Sequence, residues 1–259
     1  MRQYKFQVPI NSKQLRGQLF QYLYKSCDVK TIECAEDLEQ DRLLAFSHPF
    51  DNWVFEAITK NKNINFFHID NGYIGNHNYK KPWYYRISYN SLQNTKVKSI
   101  QYSRKDFLEV DKSLWSEWND KGNYNLLVMP NPSNIFKYLG KDYTTWRRDT
   151  VKYYEGLKVP VKIREKEGKR RARFQSILPL MRDAKKVITH HSMAAVEALC
   201  LGKPIQILGQ SAVQHWQGQF GFDRTQMLEH IAWSQFNREE FQDGEAWKCT
   251  FKYQVGIDV

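Results

Sequence analysis

The stretch VITHHSMAAVEALCLGKPIQIL, Val187 to Leu208, gathers at one crossover residue types suited to a phosphorylated ligand. It opens as an apolar, β-branched run that reads as a buried strand. Ser192 then stands where a helix N-cap belongs, and an alanine-rich helix runs on to Gly202, the expected left-handed cap. From Ser192 through Met193 and Ala194 the backbone N–H groups are approachable and the helix dipole adds partial positive charge, so a phosphate can rest there. An ordinary capped helix is the competing reading. Glu197 lies in a segment otherwise almost free of charge, where a carboxylate needs a partner: a ribose diol, or an arginine in a purely structural pair. His190 and His191 suggest zinc, but adjacent side chains on a strand diverge and no nearby Cys or carboxylate completes a tetrahedron. No metal is therefore expected, and His191 reads as a donor to a phosphate or sugar hydroxyl.

Upstream, KIREKEGKRRAR places Arg164 and Lys166 on one face of an extended run and then crowds Lys169, Arg170, Arg171 and Arg173 together. Arg164 can reach a diphosphate bidentately. The later cluster serves either a polyanion or a solvated face. In the first half, NFFHIDNGYIGN sets His68 and Asp70 two residues apart, on one face of a strand just before a turn. A carboxylate at a strand end can act as a general base, with His68 orienting it; a turn-capping aspartate is the bland alternative, and His48 and Asp51 are rival bases. Gly72 and Gly75 beside Asp70 permit close approach of a ligand. In YKKPWYYRIS, Lys80, Lys81 and Arg86 flank Trp83, Tyr84 and Tyr85, a mixture that suits a nucleic-acid backbone with stacked bases, sugar stacking or core packing.

The elements that must position these groups alternate between the strand and helix periods. RLLAFSH, NINFFHID and WYYRISYN read as strands, and NWVFEAITK as a helix. Past a turn signal near Gly122, NLLVMP, VPVKIRE, KVITHH and PIQILG read as strands between helices YTTWRRDTVKYYEGL, FQSILPLMRDA and SMAAVEALCLG. Such a βαβαβαβ series predicts a parallel, doubly wound sheet. The chain of 259 residues then divides into two α/β domains, 1–122 and 123–259, facing a cleft, with no internal repeat visible. Its net charge of +11 favours a polyanionic partner. Four cysteines without Cys-x-x-Cys spacing, no leader-like apolar start and no run long enough to span a bilayer fit a soluble cytoplasmic protein.

VITHHSMAAVEALCLGKPIQILG, with NLLVMPNPS and KIREK before it, resembles the nucleotide-sugar-binding segment of GT-B glycosyltransferases, especially the capsule-polysaccharide-type and phage-encoded branches. The resemblance covers about Asn125 to Gly209. It implies two Rossmann-like domains, the second holding a nucleotide-diphosphate sugar as donor substrate, with no cofactor and no metal. Ser192, Met193 and Ala194 would then meet the diphosphate, Glu197 the ribose, and Arg164 the leaving phosphate. Position 204 is Pro, where a second carboxylate would follow Glu197 in better-known retaining enzymes, so an inverting reaction is the expectation. The first domain would carry the acceptor, with Asp70 as base. The positive charge and the phage-encoded branch make a hydroxymethylated base in DNA the preferred acceptor, in a host cytoplasm, contacted by Lys80, Lys81, Trp83, Arg86 and the Lys169 to Arg171 cluster. A capsule or lipopolysaccharide saccharide is the alternative acceptor. A non-catalytic nucleic-acid-binding module and a nucleotide-sugar epimerase are the competing functions.

Overall fold

The structure, a computed structural model, describes residues 1, 3–48, 50–61, 63–74, 84–95, 104, 115–132, 140–165 and 176–257. Two compact units emerge, Met1–Glu109 with Leu228–Val259, and Val110–Met227. Both are mixed α/β, and each is built on a sheet with a parallel, Rossmann-like core.

In the first unit, strands β1 (Lys5–Pro9), β2 (Asp28–Ile32), β3 (Leu43–Ser47) and β4 (Phe66–Asn71) are parallel, and β5 (Tyr84–Tyr89) runs antiparallel to β4. Helix α1 (Ile10–Ser26) links β1 to β2, and α2 (Asn52–Lys60) links β3 to β4. Period-two alternation divides the apolar residues between the two faces. Phe6, Val8, Ala45, Phe67 and Ile69 pack with Leu19, Phe20 and Leu23 of α1. On the other face the Phe46 ring meets those of Phe50, Phe66 and His68, and the Phe50 ring meets that of His68. Each fully buried Phe contributes about 1.5–3 kcal/mol, so this sheet is a rigid platform for whatever stands at its edges.

The C-terminal residues return to this first sheet. Strand β10 (Gln235–Asn237) pairs antiparallel with β5, giving the order β10-β5-β4-β3-β1-β2. Phe236, Phe241, Trp247 and Phe251 complete the apolar layer beside α1, and Trp247 Nε1 donates to the Leu19 carbonyl at 3.2 Å. The expected division at Gly122, with everything beyond it in one domain, therefore differs from the structure. A three-residue edge strand carries no local sign of which sheet it joins.

In the second unit, β6 (Tyr124–Val128), β7 (Val161–Arg164), β8 (Ala184–Thr189) and β9 (Ile205–Ile207) are all parallel, in the order β7-β6-β8-β9. Helix α3 (Tyr143–Glu155) links β6 to β7 and starts at Asp142, whose carboxylate accepts from the Thr145 N–H at 2.8 Å. The segment read as a helix around FQSILPLMRDA is helical over Leu178–Arg182 (α4). Helix α5 (Ala194–Cys200) links β8 to β9. It closes in a Schellman motif: Lys203 N–H reaches Ala198 O, Gly202 N–H reaches Leu199 O, and Gly202 takes φ +68° as expected. The parallel strands of both units share one order, second-first-third-fourth, a repeat of topology that leaves no trace in the residues. In such sheets ligands gather where the order reverses, beyond the carboxyl ends of the strands.

Candidate functional site

At the carboxyl edge of the first sheet, β3 and β4 bring three titratable groups together. His48 follows β3 directly, its N–H bonded to the Ile69 carbonyl at 2.8 Å, which holds it beside β4. His68 and Asp70 share a face of β4 as their spacing predicts, and one ligand-capable atom from each of His48, His68 and Asp70 lies within 4.8 Å of the others. The β4–β5 register sets Asp70 opposite Arg86. Arg86 Nη2 donates to Asp70 Oδ2 at 2.7 Å, and its Nη1 to the Asn71 carbonyl at 3.3 Å.

This pairing decides the electrostatics. Burial pushes the Asp70 carboxyl up, but Arg86, His48, His68 and the Asn71 amide together hold it well below the usual carboxylate range. Asp70 is therefore ionised and a poor proton acceptor. Burial pulls the His68 imidazole down to about 3, so it is neutral. Its Nδ1 meets the Leu92 carbonyl at 3.2 Å and must donate there, which leaves the Nε2 lone pair buried without a hydrogen-bond partner. Two imidazoles and a carboxylate form a known metal-ligand set. Here both carboxylate oxygens are already engaged, by Arg86 and by the Asn71 N–H at 2.7 Å, and the guanidinium charge opposes a cation. The cluster is better arranged to hold and move a proton.

Neighbouring residues take parts that differ from the sequence reading. Gly72 makes room for β5 rather than for a ligand: a Cβ there would stand 2.8 Å from Tyr84 Cβ. Arg86, expected on a nucleic-acid surface, is 5% exposed in its ion pair. Asp51 accepts from Asn11 Nδ2 at 2.9 Å, which ties the start of α2 to the start of α1. Arg16 was not anticipated. The backbone of α1 leaves helical geometry at this residue (φ −140°, ψ 33°), and its guanidinium donates to Asn71 Oδ1 at 3.2 Å. The only local hint is the glycine that follows it.

At the crossover of the second sheet, β8 stops at Thr189 and the chain bends. The two histidines consequently do not diverge: His190 Nδ1 and His191 Nδ1 are 2.7 Å apart in a hydrogen bond. Burial pulls His190 down to about 4. Gly209 gives its ring room, since a Cβ there would lie 2.3 Å from His190 Cε1. Ser192 lies one residue short of the N-cap position, which Met193 holds; Ser192 Oγ accepts from the Ala194 N–H at 3.2 Å, and its carbonyl from Ala195 at the same distance. That first-turn amide is therefore already occupied in part. Glu197 is buried at 8% exposure, as its apolar setting suggested. Near the end of the same helix, Arg224 donates to the Leu199 and Cys200 carbonyls. Arg164 ends β7, half-buried, with its carbonyl accepting from Met129. A cavity of about 700 Å³ adjoins this edge, with Trp146, Tyr153, Tyr154 and Leu208 as its apolar wall and Asp142 and Asp149 among its polar groups. The Trp146 ring is 5.7 Å from that of His190. Lys80, Lys81, Trp83, Lys166, Lys169, Arg170 and Arg171 lie outside the described residues, as does Gly75.

No protein-family model and no curated protein matches the chain. Among solved structures it is similar to a Thermosulfurimonas dismutans protein, KpsC, beta Kdo 2,7 transferase. The TM-score is 0.52 at 11% identity, over 93% of this chain and 98% of that chain. A second, from the same organism, is KpsC, beta Kdo 2,4 transferase, at TM-score 0.47 and 13% identity over 88% and 89%. The likeness to the first is one of fold, and it runs nearly the whole length of both chains. Among the described residues no helix is long and apolar enough to cross a membrane.

Proposed function

We propose that the protein is a glycosyltransferase that moves a sugar from a nucleotide sugar to a hydroxyl of a saccharide, in the manner of capsule-polysaccharide enzymes. The observation that carries this reading is the fold likeness to a beta Kdo transferase along 93% of this chain and 98% of the other. The second unit supplies the donor site in this reading. Arg164, Lys166, His191 and the turn from Ser192 to Ala194 meet the phosphate, Glu197 the ribose, and the aromatic cavity beside Trp146 the remaining ring system. The first unit supplies the acceptor chemistry. A hydroxyl is too weakly acidic to attack unaided. With Asp70 held ionised by Arg86, we assign the proton to His48, and Asp70 stabilises the imidazolium that forms, as a carboxylate does beside a catalytic histidine. His68 stays neutral and lines the pair. Direct attack on the anomeric carbon then inverts its configuration, without a metal. The same clamped carboxylate favours a second reading, in which Asp70 is itself the nucleophile and the configuration is retained.

A DNA acceptor draws little support: Arg86 is buried in an ion pair, and the other residues on which it rested lie outside the described ones. The reading is tested by offering a panel of nucleotide sugars, with and without acidic and neutral oligosaccharides, and following free nucleotide. Acceptor-dependent release is expected, and the anomeric configuration of the product separates the two readings. Glu197→Gln should weaken nucleotide binding about tenfold, the worth of roughly one good hydrogen bond. If no nucleotide or nucleotide sugar binds in calorimetry, the transferase reading fails.

A further inference from the structure

Lys203 is 2% exposed, and its Nζ is buried without a hydrogen-bond partner. A lysine ammonium almost never sits inside a protein unpaired, because leaving water costs several kcal/mol that only a counter-charge or loss of the proton offsets. Burial lowers this ammonium's pKa, against the opposing pull of Asp183 and Asp120. Lys203 occupies the turn between the end of α5 and β9, at the amino edge of the second unit's sheet. That is the edge opposite to the crossover.

A cavity of about 550 Å³ opens at this amino edge. Lys203, Lys121, Lys162 and Arg182 line it, and Asp183 is the one carboxylate among the described residues of its wall. The frame around it is rigid. Gly122 lies so close to the next strand that a Cβ would stand 2.1 Å from the Ala184 carbonyl carbon. Asn119 N–H reaches the Gly202 carbonyl at 2.8 Å, and the Tyr124 hydroxyl reaches Leu180 O at 2.8 Å. The Lys162 ammonium stands 3.9 Å from the centroid of the Tyr124 ring. Lys121, Lys162 and Arg182 are exposed and by themselves would be a solvated basic face. Lys203 sets the site apart, because its interior ammonium makes no hydrogen bond and has only the longer-range pull of Asp183 and Asp120 among the described residues.

We propose that this cavity binds a phosphate or diphosphate group, with Lys203 as the interior counter-charge and Lys121, Lys162 and Arg182 closing over it from the rim. A tetrahedral, multiply charged oxyanion fits both the volume and the excess of positive charge, and it offers the exposed rim cations several acceptors at once while the buried Lys203 charge acts on it from behind. The site is separate from the donor turn at Ser192, which lies at the other end of the same strands.

Calorimetric titration of the full chain with inorganic pyrophosphate, at low ionic strength, tests this. Saturable binding is expected, to persist when Arg164→Met and Glu197→Gln remove the donor contacts, and to weaken at least tenfold in Lys203→Met. Melting curves give an independent reading. Without pyrophosphate, Lys203→Met should melt no lower than the parent, since it exchanges an unpaired interior charge for an apolar chain of similar length. It should also lose the rise in melting temperature that pyrophosphate gives the parent. If Lys203→Met fails to fold, Lys121→Met/Lys162→Met should weaken binding in its place. Absence of saturable binding, unchanged affinity in the lysine variants, or loss of binding in Arg164→Met would each overturn the proposal. The last of these would place the anion in the donor site and leave the transferase reading standing.

Discussion

Asp70→Ala separates a structural from a chemical role for the cluster, and its cost can be worked from the ion pair. The Asp70 and Arg86 side chains are 17% and 6% exposed, so deleting the carboxylate strands a guanidinium in the interior. Breaking a buried pair by removing one partner costs about 3–5 kcal/mol. Partial access of water to Asp70 places the loss near the lower end, about 3 kcal/mol. At roughly 2–4 °C per kcal/mol for a chain of this size, Asp70→Ala should melt roughly 6–12 °C below the parent. Removing both charges, in Asp70→Leu/Arg86→Met, leaves no stranded group and should restore most of that loss, since buried pairs replaced by apolar residues are often neutral or stabilising. Turnover behaves differently. Both variants should lose most transfer, because neither presents a carboxylate to His48, while nucleotide binding in the other unit persists. Circular-dichroism melts of the parent, Asp70→Ala and the double variant, alongside turnover at saturating donor, make the comparison. A double variant that melts like the parent and still turns over would refute the catalytic assignment. An Asp70→Ala melt within a degree of the parent would refute the stranded-charge reasoning.

His68 should make the first unit acid-sensitive. Its folded pKa of about 3 lies below the ordinary value of 6.5, so below pH 6.5 the unfolded chain takes up a proton that the folded chain refuses, and stability falls as pH drops toward 3. Between pH 7 and pH 5 the loss from this group is about 2 kcal/mol; urea denaturation of His68→Phe should show that slope flattened, and equal slopes would count against it. Gly72→Ala would press a Cβ to 2.8 Å from Tyr84 Cβ, so it should displace β5 and, with it, Arg86. A stability loss above about 1 kcal/mol with reduced turnover is expected, and a fully active, equally stable variant would show that β5 can yield.

What the residues determine by themselves is local. The apolar spacing of NWVFEAITK predicts α2, which spans Asn52–Lys60, and the alternating second half predicts β6 to β9 in order, because periodicity and turn chemistry act within a few residues of chain. The Gly202 cap is legible for the same reason: only a residue tolerant of positive φ ends a helix that way. So is the shared face of His68 and Asp70, which follows from the two-residue strand period. Strand β1 and helix α1 leave a fainter signal, since α1 breaks at Arg16 and shows no clean stripe. The remaining features depend on which strands become neighbours. His48 joins His68 and Asp70 because β3 lies beside β4, and Asp70 loses its basicity because the β4–β5 register sets Arg86 opposite it. The last residues join the first unit because its apolar face is still open there, and the two histidines touch because β8 ends at Thr189. All but the last of these are long-range pairings, settled by burial and register across the fold.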